Sequence, residues 1–223
     1  MSDVFGVFGK IPTLGDFLRA GLPSAFVTAW DEWLQRSVSQ AKEAYGQGWT
    51  AAYMSAPIWR FSLPPGIAGA RPVSGVLLPS VDRVGRQYPL TFAVIHSAPE
   101  PAPAHFANTE LFERFEALAI DVMDERVTRD GVIDALSDMR FTVPPAPLSN
   151  GLTYRFGTVA PKTALAGAHI AQKHPSTALW STILEGDARL MLSHGLPAGA
   201  QALGLFSLSA PVWPQMQTEA AQL

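Results

Sequence analysis

Two stretches of the chain carry apolar residues at close to helical spacing, over positions 26–45 and 111–123. Ser24 and Asn108 precede them. We predict these residues as N-caps, because short polar side chains accept hydrogen bonds from the first backbone N–H groups of a helix. A shorter helix is expected over 130–139. The pattern therefore predicts two principal helices, each with one apolar face that packs on a core.

Short apolar runs bounded by glycine and proline predict β-strands. The predicted strands lie over 4–8, 51–63 with a break at Pro57, 73–79, 88–95, 153–159, 177–184 and 203–208. The proline-rich stretch 98–104 is expected to be a stiff connection. Elements of the N-terminal part follow the order β-α-β-β-β-α, with successive strands joined by turns. This order favours an α+β fold, in which a largely antiparallel (mixed) β-sheet is flanked by helices.

A second proline-rich stretch, over 143–151, is the strongest internal boundary. It separates a core at 1–143 from a C-terminal part at 144–223. The C-terminal part offers short strands and no long amphipathic helix that would give it a core of its own. We therefore predict that it packs onto the first part and that the chain forms a single structural domain.

Composition narrows the class of protein. Hydrophobic residues make up 48% of the chain and charged residues 16%, which indicates a large core. The net charge of −3 leaves no basic excess for a nucleic-acid backbone. The sequence has no cysteine, no signal peptide at its N-terminus and no continuous apolar span. These features predict a cytoplasmic protein that binds no nucleic acid and does not insert into a membrane.

Sequence signatures of enzymes are missing or incomplete. VFGVFGK ends in Gly-Lys, but Val4 stands where a P-loop has its first glycine and Ile11 where it has Ser or Thr. Nucleophile-elbow and zinc-protease motifs are absent. His169 and His174 are better explained as solvated loop residues than as metal ligands. We predict a protein without enzyme activity, metal or cofactor, and an unrecognised hydrolase is the weakest alternative.

Seven polar residues remain as candidates for binding. They are Lys10, Asp16, Arg60, Ser80, Asp82, Arg83 and Arg86. Lys10 and Asp16 form one group after the first predicted strand. The last four lie in PSVDRVGRQYPL, between two apolar runs, and Arg60 can join either group. Arginines in such a loop can brace it through a carboxylate or bind a partner, and both roles remain open.

The charged loop also carries a geometric prediction. Asp82 and Arg86 are four residues apart in a turn-rich segment, so we expect them to contact each other or the same backbone. Gly85 is expected to take a conformation that disfavours a side chain. Arg83 needs no partner in this arrangement and is expected to be more exposed.

Four separated blocks occur in the order GKIPTLGDFLRAGLP, WDEWL, APIWRFSL and GVLLPSVDRVGRQYPLTF. Together they resemble the TagF family, accessory proteins of bacterial type VI secretion systems. The resemblance is dense over 5–95, looser through the following helix, and slight over 150–223. It implies a cytoplasmic protein that represses type VI secretion after translation, with an FHA-domain scaffold protein as its partner. The resemblance supplies no catalytic residues.

The residues and the resemblance together favour a non-enzymatic regulator that acts by protein–protein binding. The alternative is a module that senses a small molecule or phosphate through the loop over 80–86, with Lys10 and Arg60 nearby. The two readings differ in what the exposed arginines contact.

Overall fold

A computed structural model describes residues 2–145, 148–149, 154–155, 159–184 and 186–214. The strands are β1 (Val4–Gly9), β2 (Leu18–Ala20), β3 (Trp59–Leu63), β4 (Val73–Leu78), β5 (Leu90–Ile95), β6 (Leu148–Ser149), β7 (Tyr154–Arg155), β8 (Ala178–Leu184) and β9 (Asp187–Ser193). The helices are α1 (Ser24–Tyr45), α2 (Trp49–Met54), α3 (Pro101–Ala107), α4 (Thr109–Met123), α5 (Arg129–Ser137), α6 (Pro161–Lys173) and α7 (Ala200–Phe206).

Seven of the strands form one sheet in the order β2-β1-β5-β4-β3-β8-β9. Each neighbouring pair in this sheet is antiparallel. Helices pack on both faces, so the predicted α+β fold is confirmed. Side chains on each strand alternate between the two helical layers, because successive residues of a strand point to opposite faces.

An aromatic cluster fills the face of the sheet that α1 covers. Trp30 of α1 is fully buried, and its ring centroid lies 4.8 Å from that of Phe61 and 6.1 Å from that of Trp180. Its indole N–H donates a hydrogen bond of 2.9 Å to the hydroxyl of Thr91. Trp30 therefore joins α1 to the central strands through both packing and a buried hydrogen bond.

Helices α3, α4 and α5 cover the opposite face. Phe115 of α4 is buried against Phe92 of β5, with 6.2 Å between the ring centroids. Helix α6 packs on α3 so closely that a Cβ at Gly167 would lie 2.7 Å from the Cα of Pro103. A glycine at this position allows the two helices to approach each other.

Three predicted elements are wrong. The first part of the predicted strand over 51–63 is helical and belongs to α2, the predicted connection over 98–104 contains the start of α3, and the predicted strand over 203–208 is largely α7. Pro101 lies in the first turn of α3, where its missing N–H and fixed φ are tolerated. Short apolar runs fit a buried helix as well as a buried strand, so periodicity alone could not separate them.

The sequence pattern did not reveal α6 or β9. Helix α6 has 13 residues and buries only Gly167, so the part after the boundary contains a longer helix than the pattern showed. The single-domain prediction stays a prediction, and part of the boundary over 143–151 lies outside the described residues. Of the strand predicted over 153–159, the structure describes Tyr154–Arg155 as strand.

The two predicted N-caps have different roles. Ser24 is the first helical residue, and Pro23 takes the cap position without a side-chain hydrogen bond. Asn108 lies at the cap position of α4, but its amide donates to the carbonyls of Ala104 and Thr142, at 2.8 Å each. Its side-chain oxygen accepts from the Thr142 N–H. Asn108 therefore ties α3 to the segment after α5. Its side-chain oxygen does not cap α4, because that oxygen accepts from the Thr142 N–H instead.

Removal of the Trp30 side chain is expected to leave a cavity in the aromatic cluster and to destabilise the fold. We expect Trp30→Ala to lower the free energy of unfolding by about 3–5 kcal/mol, because a large buried ring is lost. Chemical denaturation measures this change, and Met54→Ala serves as the control because Met54 is 53% exposed. A loss below about 1 kcal/mol, the usual range of surface substitutions, would contradict the burial of Trp30.

Candidate functional site

The carboxylate of Asp82 forms the centre of the charged loop between β4 and β5. Asp82 is 2% exposed. Its Oδ2 accepts from Lys10 Nζ at 2.7 Å and from Arg86 Nε at 2.6 Å. Its Oδ1 accepts from the backbone N–H groups of Val84 at 3.1 Å and Arg86 at 2.9 Å. Each oxygen thus accepts two hydrogen bonds. Lys10 is the one of these donors that comes from another segment of the chain.

These donors determine the charge of Asp82. Burial by itself would raise the pKa of Asp82, but the hydrogen bonds from Lys10, Arg86 and Val84 outweigh it and lower the pKa. The side chain is therefore a carboxylate at neutral pH. We call the ion-paired group of Lys10, Asp82 and Arg86 the Asp82 node.

Ser80 anchors the beginning of the loop. Its hydroxyl donates to the carbonyl of Lys10 at 2.7 Å. Its backbone carbonyl accepts from the Tyr53 hydroxyl at 2.7 Å. Its backbone N–H donates to the oxygen of that Tyr53 hydroxyl at 2.9 Å. Ser80 is fully buried, so its side chain supports the Asp82 node and does not contact solvent.

The loop rests on the loop after β1. Arg86 Nη2 donates to the carbonyl of Gly15 at 2.7 Å, and the Arg83 N–H donates to the carbonyl of Leu14 at 3.0 Å. The two tips expose Phe17, which is 40% exposed, Val84, which is 69% exposed, and the side chain of Arg83. We call these three side chains the two-loop surface.

The predicted contact between Asp82 and Arg86 is confirmed, and so is the exposure of Arg83. Gly85 has φ of +81°, which side chains disfavour, as predicted. The grouping of Lys10 with Asp16 was wrong. Lys10 pairs with Asp82, which is 72 residues away in the sequence.

Asp16 and Arg60 do not join the Asp82 node. Asp16 is exposed, and its carboxylate accepts from the N–H of Phe17 at 2.8 Å. Arg60 pairs with Glu116 of α4 through two hydrogen bonds of 2.6 and 2.8 Å. Glu116 was missed because nothing in the pattern of a surface helix marks one carboxylate as the partner of a distant arginine.

A comparison with protein families identifies the chain. The family model of the TagF N-terminal domain, type VI secretion system-associated, matches residues 6–139. This match spans more than half of the 223 residues. The chain belongs to the TagF family. The resemblance found in the four sequence blocks is thereby confirmed, and the matched region of this TagF chain contains both the Asp82 node and the two-loop surface.

A solved structure shares the fold over most of the chain. The fold is similar to the crystal structure of PA0076 from Pseudomonas aeruginosa PAO1, at 28% sequence identity and a TM-score of 0.76. The alignment covers 95% of this TagF chain and 97% of that protein. No curated protein matches the chain significantly.

This TagF chain also has a second buried polar group that sequence analysis missed. It is a row of five side chains across the sheet: His96, Ser74, Ser62, His105 and Ser181. Successive polar atoms lie 2.9, 2.8, 3.0 and 2.7 Å apart. We call it the histidine–serine row. Its members come from β3, β4, β8, α3 and the residue after β5, so sequence spacing carries no signal of it.

Both histidines of the row are neutral at physiological pH. Burial, with a smaller contribution from the charge of Arg71, lowers the pKa of His96 to about 3. Burial likewise lowers the pKa of His105 to about 3, with a smaller contribution from Arg60. The row therefore consists of uncharged donors and acceptors.

The described residues show neither a metal-binding cluster nor a membrane-spanning helix. Among them, no three histidine, aspartate or glutamate side chains are grouped in a way that could hold a metal ion. Within the same residues, no helix combines the length and apolar character needed to cross a membrane.

Proposed function

We propose that this protein is a non-enzymatic, post-translational repressor of type VI secretion that acts by binding another protein through the two-loop surface. Membership of the TagF family supports the association with type VI secretion. The observation that supports the binding role is the exposure of Phe17, Arg83 and Val84 at the tips of two loops that the Asp82 node holds together.

The Asp82 node supports a binding role for the two-loop surface, because its hydrogen bonds hold the tips of both loops in place. A loop that is already ordered loses less conformational entropy when a partner binds. Arginine and aromatic side chains are also enriched among the residues that dominate binding energy at interfaces. Phe17 is held by Phe8 and Tyr88, with ring centroids 5.5 and 4.8 Å away. The Lys10 ammonium group also lies over the ring, 5.6 Å from its centroid, so Phe17 is held in place although it is 40% exposed.

The partner that we propose is the FHA-domain scaffold protein of the secretion system, and the interaction would take place in the cytoplasm. The family resemblance suggests this partner. The two-loop surface fits a protein partner, because it offers an aromatic ring, an aliphatic side chain and one guanidinium group within two neighbouring loops.

The geometry gives less support to a phosphate sensor at this loop. Such a sensor would use Lys10, Arg60, Arg83 and Arg86. The side chains of Lys10 and Arg86 are engaged by Asp82, and Arg60 is engaged by Glu116. Arg83 alone among these four has no ion pair with a described residue. A single exposed guanidinium is a weak phosphate site, whereas it suits the centre of a protein interface.

Overproduction of the protein in a host with an active system tests the proposal. We expect secretion to stop while the amounts of the secretion components stay the same. Arg83→Glu should abolish this repression without changing the melting temperature, because the side chain is exposed and makes no ion pair. Arg36→Glu is the matched control, since Arg36 is an exposed arginine on α1.

Two results would count against the proposal. Continued secretion at high expression of the folded protein would reject the role as a repressor. Full repression by Arg83→Glu, together with full binding of the scaffold protein, would instead reject the two-loop surface as the binding site.

A further inference from the structure

We infer one direction for the hydrogen bonds of the histidine–serine row from the donor at one end and from the burial of its members. The backbone N–H of Ala98 donates to Nδ1 of His96 at 3.2 Å. A neutral imidazole has one N–H and one acceptor nitrogen, so Nε2 of His96 must carry the proton. His96 therefore donates from Nε2 to the hydroxyl of Ser74.

This direction continues along the row. Ser74 accepts from His96 and is fully buried, so its own hydrogen needs an acceptor, and we assign it to the Ser62 hydroxyl 2.8 Å away. Ser62 in turn donates to Nδ1 of His105, which places the proton of His105 on Nε2. His105 then donates from Nε2 to the hydroxyl of Ser181 at 2.7 Å. A chain of this kind polarises each member and strengthens the last donor.

Ser181 is the end of the row and keeps one unused proton. Its oxygen accepts from His105, and no described residue accepts its hydroxyl hydrogen. His105 therefore does not act as a base towards Ser181 in this arrangement, which separates the pair from an activated nucleophile. The hydroxyl is instead a polarised donor in need of an acceptor.

This donor opens into a groove of about 270 Å³ at the ends of β3 and β8. Arg60 is the direct cross-strand neighbour of Ser181 and also lines the groove. Glu116 occupies Nε and Nη2 of Arg60, and no described residue occupies Nη1. Glu116 and Thr182 also line the groove, and the rest of the lining is apolar and includes Ile58, Ile120 and Ile183, of which Ile183 is 72% exposed. The groove therefore combines two neighbouring donors with an aliphatic wall.

We propose that this groove binds a small aliphatic carboxylate, whose oxygens accept from the Ser181 hydroxyl and from Nη1 of Arg60. Cross-strand neighbours have their Cβ atoms about 5 Å apart, so the two donors can reach one carboxylate group. The isoleucines would contact the aliphatic tail. This site is separate from the two-loop surface and does not depend on the proposed repression.

Glu116 limits the affinity of the site. Its carboxylate already neutralises Arg60, so a bound carboxylate would be a second anion at the same guanidinium. We expect a dissociation constant on the order of 1 mM for a ligand as small as hexanoate. Replacing Glu116 by glutamine removes the competing charge and keeps the shape, so Glu116→Gln is expected to bind hexanoate several-fold more tightly.

Titration of the full chain with hexanoate tests the site directly. Backbone amide NMR shifts should saturate and cluster at the groove, and hexanamide, which has the same shape without the charge, should cause no comparable shifts. Ser181→Ala is expected to weaken hexanoate binding by about tenfold, since a hydrogen bond to a charged group is lost. Ser39→Ala is the control, because Ser39 is exposed on α1.

The direction of the hydrogen bonds in the histidine–serine row can be tested separately, in the unmodified protein. Nitrogen-15 spectra of the imidazoles should show both His96 and His105 protonated at Nε2. Ser62→Ala should also weaken hexanoate binding although Ser62 does not line the groove, because His105 can then accept the proton of Ser181.

The outcomes separate the two parts of the proposal. A His105 proton on Nδ1 would overturn the donor role of Ser181, whatever the variants do. Equal binding of hexanoate and hexanamide, no saturable shift at the groove, or weaker binding by Glu116→Gln would each overturn the carboxylate site. An acetylated peptide that ends in leucine and carries a free carboxylate, compared with its amide, would show whether the ligand can be a peptide end instead of a free acid.

Discussion

Replacing Lys10 with methionine is expected to lower the melting temperature by roughly 5–10 °C, because the substitution removes one cation of a buried ion pair and leaves its partner. Methionine retains most of the length of the lysine stem, so the change isolates the charge and the donor. Asp82 would keep the hydrogen bonds from Arg86 and Val84, but its burial would be less well compensated. Thermal unfolding followed by circular dichroism measures the change.

Variants of two arginines show whether the loss of stability is specific to the Asp82 node. Arg86→Met is expected to have a smaller effect than Lys10→Met, because the side chain of Arg86 is 61% exposed and that of Lys10 is 10% exposed. Arg83→Met should have no effect on stability. An equal loss in all three variants would show that positive charge in general, and not the Asp82 node, stabilises the loops.

Acidification from pH 7 to pH 5 is expected to lower the free energy of unfolding by about 2 kcal/mol for each of His96 and His105. Both have a pKa of about 3 in the folded chain, against about 6.5 when unfolded. The unfolded chain therefore binds more protons below pH 6.5. The stability from neutral burial is complete above that pH and is lost progressively as the pH falls towards 3.

Urea denaturation at several pH values measures this dependence. His105→Gln should remove about half of the slope between pH 7 and pH 5, because one of the two buried imidazoles is gone. His174→Gln is the control, since His174 is exposed at the end of α6. An unchanged slope in His105→Gln, or an NMR pKa near 6.5 for His105, would contradict the neutral burial of the row.

Local pattern was sufficient for the two longest helices and for two central strands. The spacing of Trp30 and its apolar neighbours predicted α1, and the stripe around Phe115 predicted α4, because a long helix repeats its buried face over several turns. The runs over 73–79 and 88–95 were found as strands for a similar reason, since turn residues bound them closely. The sequence also predicted the contact of Asp82 with Arg86, because four residues of a turn bring both side chains together.

Short elements were beyond this kind of prediction. An apolar run such as that around Leu205 fits a strand or one or two turns of helix, and its packing against Trp59 and Trp213 is a tertiary property. Pro101 marked a stiff connection by composition, yet it starts α3. Few residues contribute to such elements, so the packing of the rest of the molecule outweighs their local preference.

The sequence by itself determined the family, the α+β class and the loop that holds Asp82. The tertiary structure alone decided the partners of Lys10 and Arg60, and the order of the histidine–serine row. Lys10 meets Asp82 because β1 lies beside β5 in the sheet, and Arg60 meets Ser181 because β3 lies beside β8. Periodicity reports which side of an element is buried, whereas strand order and register decide which side chains meet across the sheet.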